Sequence, residues 1–177
     1  LVANVLQSQA WFAPTLARIP AGQPTGMVTA LPLYHIFALT ACALMTMSIG
    51  GCCRLIPNPR DLPALVQTLR AQRFHVFPAV NTLLNALAGH EGFRALDFSS
   101  LVLTIGGGMA VQRAVAERWR ELTGCPVCEG YGLSETSPVA CANRGDIDHF
   151  TGTIGLPVSS TEVAILDDEG RSLPLGA

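Results

Sequence analysis

Charge is scarce in this chain. Asp, Glu, Lys and Arg make up 14% of its 177 residues, and the formal net charge is −2. That balance leaves no basic footprint, so nucleic acid is not an expected partner. Apolar runs long enough to span a bilayer are also missing. The longest, Ile36 to Ile49, falls short of the roughly 18–20 residues a membrane helix needs and is interrupted by Thr, Ser and Cys. It reads as a buried helix. No basic segment precedes an apolar one at the start, which argues against a secretory signal. Gly106-Gly107-Gly108 lacks the Gly-x-Gly-x-x-Gly spacing of the dinucleotide fingerprint. Internal repeats and low-complexity tracts are absent.

What the chain does have is apolar content, 49%, and six cysteines set mostly inside apolar runs. That placement suits reduced, buried thiols in a cytosolic protein better than a disulfide framework. Cys125-Pro126-Val127-Cys128 has the spacing of a redox or zinc pair. Redox cysteines usually open a helix, whereas this pair follows one and enters a strand. A zinc site needs two further ligands, and no second pair exists. Both cysteines therefore read as buried strand residues. His75, His90 and His149 show no ligand spacing, and Asp146 and Asp148 read as turn residues.

Strands and helices alternate along the chain. A helix is expected over Leu1–Ala10, a strand over Met27–Leu31, a helix over His35–Ile49 and a short strand over Cys52–Ile56. Asp61 caps a helix running to Arg70, with Pro63 in its first turn. A strand over Phe74–Phe77 leads to a helix capped by Asn81 and ending at Gly89. Leu101–Ile105 is an apolar strand that stops at the triple glycine. Val111–Leu122 is an amphipathic helix with Val111, Val115, Trp119 and Leu122 on one face. Val127 and Cys128 feed a last strand into a Tyr-Gly turn.

The alternation predicts an α/β fold with a parallel, helix-covered sheet over residues 1–150. From about Thr151 the pattern changes, and residues 151–177 read as the start of a smaller β region, with a strand over Glu162–Leu166 and a hairpin turn at Asp167–Gly170. Both ends look cut, so the chain is expected to be an internal piece of a longer protein. In open α/β sheets ligands sit at the carboxyl ends of strands. Tyr34-His35, Gly106–Gly108 and the Tyr-Gly segment all lie at such ends, and together they point to one site.

The densest chemistry is in Glu129-Gly130-Tyr131-Gly132-Leu133-Ser134-Glu135-Thr136. Glycines let backbone approach a ligand, and a tyrosine offers a flat face to a base. A serine hydroxyl bonds phosphate oxygen, and a carboxylate holds Mg²⁺ beside it. Gly130 to Glu135 resembles the Tyr-Gly-x-Thr-Glu signature of the adenylate-forming enzymes, the superfamily of acyl-CoA synthetases, luciferases and peptide-synthetase adenylation domains. Three further segments carry the likeness. They are Leu31 to Thr40, Gly106 to Met109 with the helix Val115 to Trp119, and Asp146 to Asp148 with Thr153 to Val158. Their order and spacing are similar to those of the bacterial long-chain-fatty-acid–CoA ligases, over nearly the whole chain.

The resemblance implies ATP, Mg²⁺ and CoA as cofactors and co-substrates, and a fatty acid as substrate. Glu135 would ligate the metal. Ser134, where the family usually has threonine, would contact phosphate. Tyr131 would stack on adenine, with Gly107, Gly108, Glu129, Gly130 and Gly132 around the nucleotide. His35 would orient the reacting carboxylate. With Phe37, Gly106 and Met109 it would also frame the acyl pocket. Ala110 departs from the proline common in relatives, which leaves that turn less stiff. The family's phosphate loop would precede Leu1, and its ribose aspartate and catalytic lysine would follow Ala177. A medium-chain or aryl acid ligase and a nonenzymatic nucleotide-binding module are the competing readings. The implied location is cytoplasmic, with peripheral contact at the inner membrane face left open, as is the oligomeric state.

Overall fold

The computed structural model describes residues 1–174 and 176. Strands β1 (Gly26–Thr29), β2 (Cys52–Leu55), β3 (Val76–Ala79), β4 (Leu103–Gly106) and β5 (Val127–Gly132) pair in parallel. Strands β6 (Val139–Ala142) and β7 (Leu156–Pro157) extend the sheet by antiparallel pairing, giving the order β2-β1-β3-β4-β5-β6-β7. β3 and β4 are buried at every position. A strand covered on both faces has no polar side to show, hence their near-continuous apolar sequence.

Helices cover both faces. Alternate strand residues feed two cores, Phe77 and Val127 into one, Val76 and Cys128 into the other. The first core holds Leu65 and Leu69 of α3 (Leu62–Ala71), Leu84 and Leu87 of α4 (Asn81–Gly89), Phe93 of α5 (Glu91–Arg94) and Trp119 of α6 (Arg113–Thr123). Trp119 is fully buried, stacks on Phe77 at 5.6 Å and donates its indole N–H to Thr104 Oγ1 at 3.0 Å. The second core holds Phe12 of α1 (Val2–Leu16), Ala38 and Cys42 of a π-helical stretch (Ala38–Leu44) and Met45 of α2 (Met45–Ser48). Among the described residues no helix is long and apolar enough to cross a membrane.

The expected mixed α/β fold is present, with several local differences. α1 continues six residues past Ala10, through Pro14, because Phe12 and Thr15 are buried. The helix after His35 is π-helical in its middle. Asp61 caps α3 as expected, its carboxylate accepting from Ala64 N at 3.1 Å. Asn81 does not cap α4. Its Oδ1 accepts from Gln112 N at 2.9 Å and so anchors the entry to α6. Val111 lies before α6, whose buried face is Val115, Ala116, Trp119 and Thr123. Residues 129–132 are strand rather than turn, because β6 supplies a partner ladder through Gly130–Ala142 and Tyr131–Cys141. The strand expected over 162–166 is one isolated bridge, Leu166 to Ser172. The turn beside it forms, with Asp167 Oδ1 accepting from Glu169 N and Arg171 N.

One buried group makes this fold pH-sensitive. His75 accepts the Gly26 N–H on Nδ1 at 2.8 Å, and its Nε2 is buried without a partner. Burial, and then the charge of Arg73, hold the ring below its ordinary value of 6.5. A histidine depressed by folding binds fewer protons folded than unfolded. Its contribution is complete above about pH 6.5 and is lost as pH falls through the lowered folded value. Melting temperature is therefore expected to drop on acidification below that point. The ring's NMR titration checks it, and a midpoint at or above 6.5 would contradict the assignment.

Candidate active site at the strand ends

Three loops meet at the carboxyl ends of β1, β4 and β5. After β1 the chain turns, with His35 N donating to Pro32 O at 2.9 Å. His35 Nδ1 then accepts the Phe37 N–H at 3.2 Å, which leaves the neutral ring's proton on Nε2. After β4, Gly108 reverses the chain at φ +76°, a conformation glycine adopts without strain. A Cβ on Gly107 would lie 3.0 Å from the Phe37 ring, so the glycine is what lets Phe37 sit against this loop. After β5, Ser134–Thr136 form a single 3₁₀ turn. Thr136 Oγ1 accepts from Leu133 N at 2.9 Å and donates to the Pro138 carbonyl, which pins that turn.

Two clefts open here, and Gly108, Gly130, Tyr131 and Gly132 line both. The first, about 760 Å³ counted to its open mouth, has exposed His35, Tyr131 and Ser134 at its rim. Phe12, Met45, Ile105 and Ala142 form a buried apolar floor. The second, about 820 Å³, is lined by Gly106, Met109, Glu129 and Thr153 beside the shared residues.

Glu129 stands in the second cleft. Its Oε1 accepts from Val111 N at 3.3 Å, while Oε2 is buried with no protein partner. Burial pushes its carboxyl above the usual carboxylate range, and the Val111 N–H offsets part of that rise.

The structure separates the residues grouped for an acyl chain. His35 and Phe37 line the first cleft, whereas Gly106 and Met109 line the second, because β4 ends at Gly106 and the chain reverses at Gly108 before reaching Met109. Glu135 lines neither cleft. It is exposed on the 3₁₀ turn next to Ser134, and among the described residues its carboxylate has no hydrogen-bond or ion-pair partner. Sequence reading missed Ser8 and Phe12 on the first cleft and Gly152 and Thr153 on the second. An apolar helix at the start of the chain carries no signal that it forms part of the floor of a cleft whose other residues come from elements farther along the chain.

Cys125 and Cys128 are buried free thiols at the entry to β5. Cys128 donates its thiol to Asn143 O at 3.0 Å. Burial, reinforced by Cys125, Glu129 and Asp146, pushes Cys128 up to about 12, and burial raises Cys125 as well. Such thiols stay protonated and unreactive. Among the described residues no three His, Cys, Asp or Glu side chains cluster to hold a metal.

A mostly parallel sheet with glycine-walled clefts at its strand ends is the form of a nucleotide-binding α/β protein. The chain belongs to the AMP-binding enzyme family, which it matches over residues 1–177. It is 50% identical over 175 residues to a long-chain-fatty-acid–CoA ligase of Yersinia pestis, covering 98% of this chain and 30% of that protein. It is 49% identical over 176 residues to the one of Escherichia coli O6:H1, covering 99% and 31%. The solved structure of the anthranilate CoA ligase AuaEII in complex with anthranoyl-AMP superposes with a TM-score of 0.79 at 26% identity, covering 96% of this chain and 32% of that one. The chain thus spans about 30% of the length of the relatives it matches.

Proposed function

We propose that this chain is a part of an AMP-forming long-chain fatty acyl-CoA ligase and forms the wall between its nucleotide and acyl sites. One observation carries the reading: the ends of β4 and β5 divide a cleft with a buried apolar floor from one lined by backbone and a half-buried acceptor. The first takes the fatty acid and the second the adenine, with Tyr131 and Glu129 against the base. A carboxylate oxygen of the acid attacks the α-phosphorus of ATP, and the phosphorus–oxygen bond to pyrophosphate breaks. The CoA thiolate, its proton given up to solvent, then attacks the acyl carbon and AMP leaves.

His35, at the rim of the acyl cleft, orients the carboxylate through Nε2–H. It is not a base, because carboxylate attack removes no proton. Ser134 donates to phosphate. Glu135 fits a Mg²⁺ site, being an exposed carboxylate with no protein partner, and phosphate oxygens and water would complete the shell. Mg²⁺ bound there offsets the charge of two anions brought together. The same reading carries a cytoplasmic location, where ATP and CoA are held, with the apolar substrate drawn from the inner membrane face. The smaller β region expected from Thr151 would have to follow β7, because Leu156–Pro157 still pairs with β6 in the main sheet.

All 11 basic residues of the chain are arginine, so it supplies no lysine for the family's ligation chemistry. Two assays follow. The full-length protein is expected to release AMP and form palmitoyl-CoA from palmitate, ATP, Mg²⁺ and CoA. The purified 177-residue chain is expected to release no AMP under the same conditions. Palmitoyl-CoA missing from the first assay counts against the function, and AMP in the second counts against the division of the site.

A further inference from the structure

Asn143 follows β6 directly and is 6% exposed, and it lines neither cleft. Its backbone serves the sheet and the first helix. The N–H donates to Glu129 O at 2.9 Å, and the carbonyl accepts from Trp11 Nε1 at 3.1 Å and from the Cys128 thiol at 3.0 Å. Its side chain serves a different element. Nδ2 donates to Thr153 O at 2.6 Å, and Oδ1 accepts from Thr151 Oγ1 at 3.1 Å and from Thr153 Oγ1 at 3.4 Å.

Gly152, Thr153 and Ile154 form the lip of the second cleft. They are exposed and lie outside any strand. The ends of this segment are held by packing. Phe150 is buried with the Arg113 guanidinium 5.5 Å from its ring centroid, and a Cβ on Gly155 would overlap the Ala142 carbonyl. Between those anchors, every hydrogen bond that Thr153 makes among the described residues goes to Asn143 or to Thr151, and Thr151 is itself bonded to Asn143. One buried amide therefore fixes the middle of the lip.

A carboxamide suits this place because it donates and accepts at once. A lip fixed before a ligand arrives needs no ordering when the ligand binds, whereas a loose one is ordered at the expense of affinity. We propose that Asn143 is a positioning residue for the nucleotide, its side chain holding Thr153 and the residues beside it in the shape that ATP meets. This rests on the assignment of the second cleft to the nucleotide.

The test is steady-state adenylation of palmitate by the full-length protein. Asn143→Ala keeps the backbone bonds of the residue and frees the lip. Its KM for ATP is expected to rise about tenfold, with kcat within about threefold and KM for palmitate within about twofold of wild type. Thr151→Val removes the hydroxyl that joins Asn143 to Thr153 at a half-buried position, and should raise KM for ATP about threefold. The double variant should be no worse than Asn143→Ala, since both changes cut one tether. If Asn143→Ala does not fold, Thr151→Val decides alone. KM for ATP within about twofold of wild type in both variants, with wild type adenylating normally, defeats this inference alone. Equal rises in both KM values, or a loss confined to kcat and melting temperature, would make Asn143 a residue of the fold and overturn it as well. A rise in KM for palmitate alone would overturn the nucleotide assignment of the second cleft together with the inference. Failure of the wild-type protein to adenylate any acid defeats the ligase reading and this inference with it.

Discussion

On the proposed function, replacing Glu135 by glutamine is expected to lower fatty acid adenylation by the full-length protein about 100-fold, the several kcal/mol a metal ligand contributes at a phosphoryl centre, without unfolding it. Glu135 is exposed on a turn fixed by Thr136 and makes no hydrogen bond or ion pair among the described residues, so the fold gains nothing from its charge. Surface changes of that kind stay within about 0.5 kcal/mol of stability. The loss should therefore appear in the rate and in the Mg²⁺ concentration needed for half-maximal exchange, with an unchanged melting temperature. Glutamine keeps the shape and removes the charge, which separates metal binding from packing. A variant within about threefold of wild type would remove Glu135 from the metal site.

Gly130→Leu should abolish adenylation, to below about 1% of wild type, because small displacements of bound reactants already cost about 100-fold. Gly130 lines both clefts, and a Cβ there would meet nothing nearer than Cys141 O at 3.9 Å. The backbone accepts a side chain, which then occupies ligand space. Two other glycines at the strand ends behave differently. A Cβ on Gly132 would overlap the Pro138 carbonyl, and one on Gly106 would lie 2.8 Å from Val127 Cγ1. Gly132→Ala and Gly106→Ala are expected to lower the melting temperature, whereas Gly130→Leu should keep it and lose ATP binding measured by calorimetry. ATP bound by Gly130→Leu with wild-type affinity would place the nucleotide elsewhere.

Much of this architecture is visible in the amino-acid order, for reasons that differ by element. β3 and β4 show themselves because strands buried on both faces must be largely apolar, the one buried hydroxyl, Thr104, being bonded to Trp119. α3 shows itself through Asp61 and Pro63 at its start. β6 does not, since Val139-Ala140-Cys141-Ala142 has no polar alternation and its pairing with β5 is a tertiary fact. That missing partner is why residues 129–132 read as a turn. Asn81 reads as a helix cap from its type, but the competing acceptor role to Gln112 N depends on α6 arriving beside it. At the site, the strand-end loops carrying His35, the triple glycine and Tyr131 are legible because glycine, aromatic and hydroxyl residues are concentrated there. The cleft floor is not legible, because Phe12, Met45 and Ala142 are ordinary apolar residues until the fold brings them together.

The most direct test of the account is ATP–pyrophosphate exchange by the full-length protein with a graded series of acids, from acetate through octanoate to palmitate and oleate, with benzoate alongside. The account predicts exchange that rises with chain length and is strongest with the long acids, as a cleft with a buried apolar floor requires. Exchange fastest with benzoate or octanoate would assign the cleft to an aryl or medium-chain acid. No exchange with any acid would contradict the account outright and leave a nucleotide-binding module without ligase chemistry.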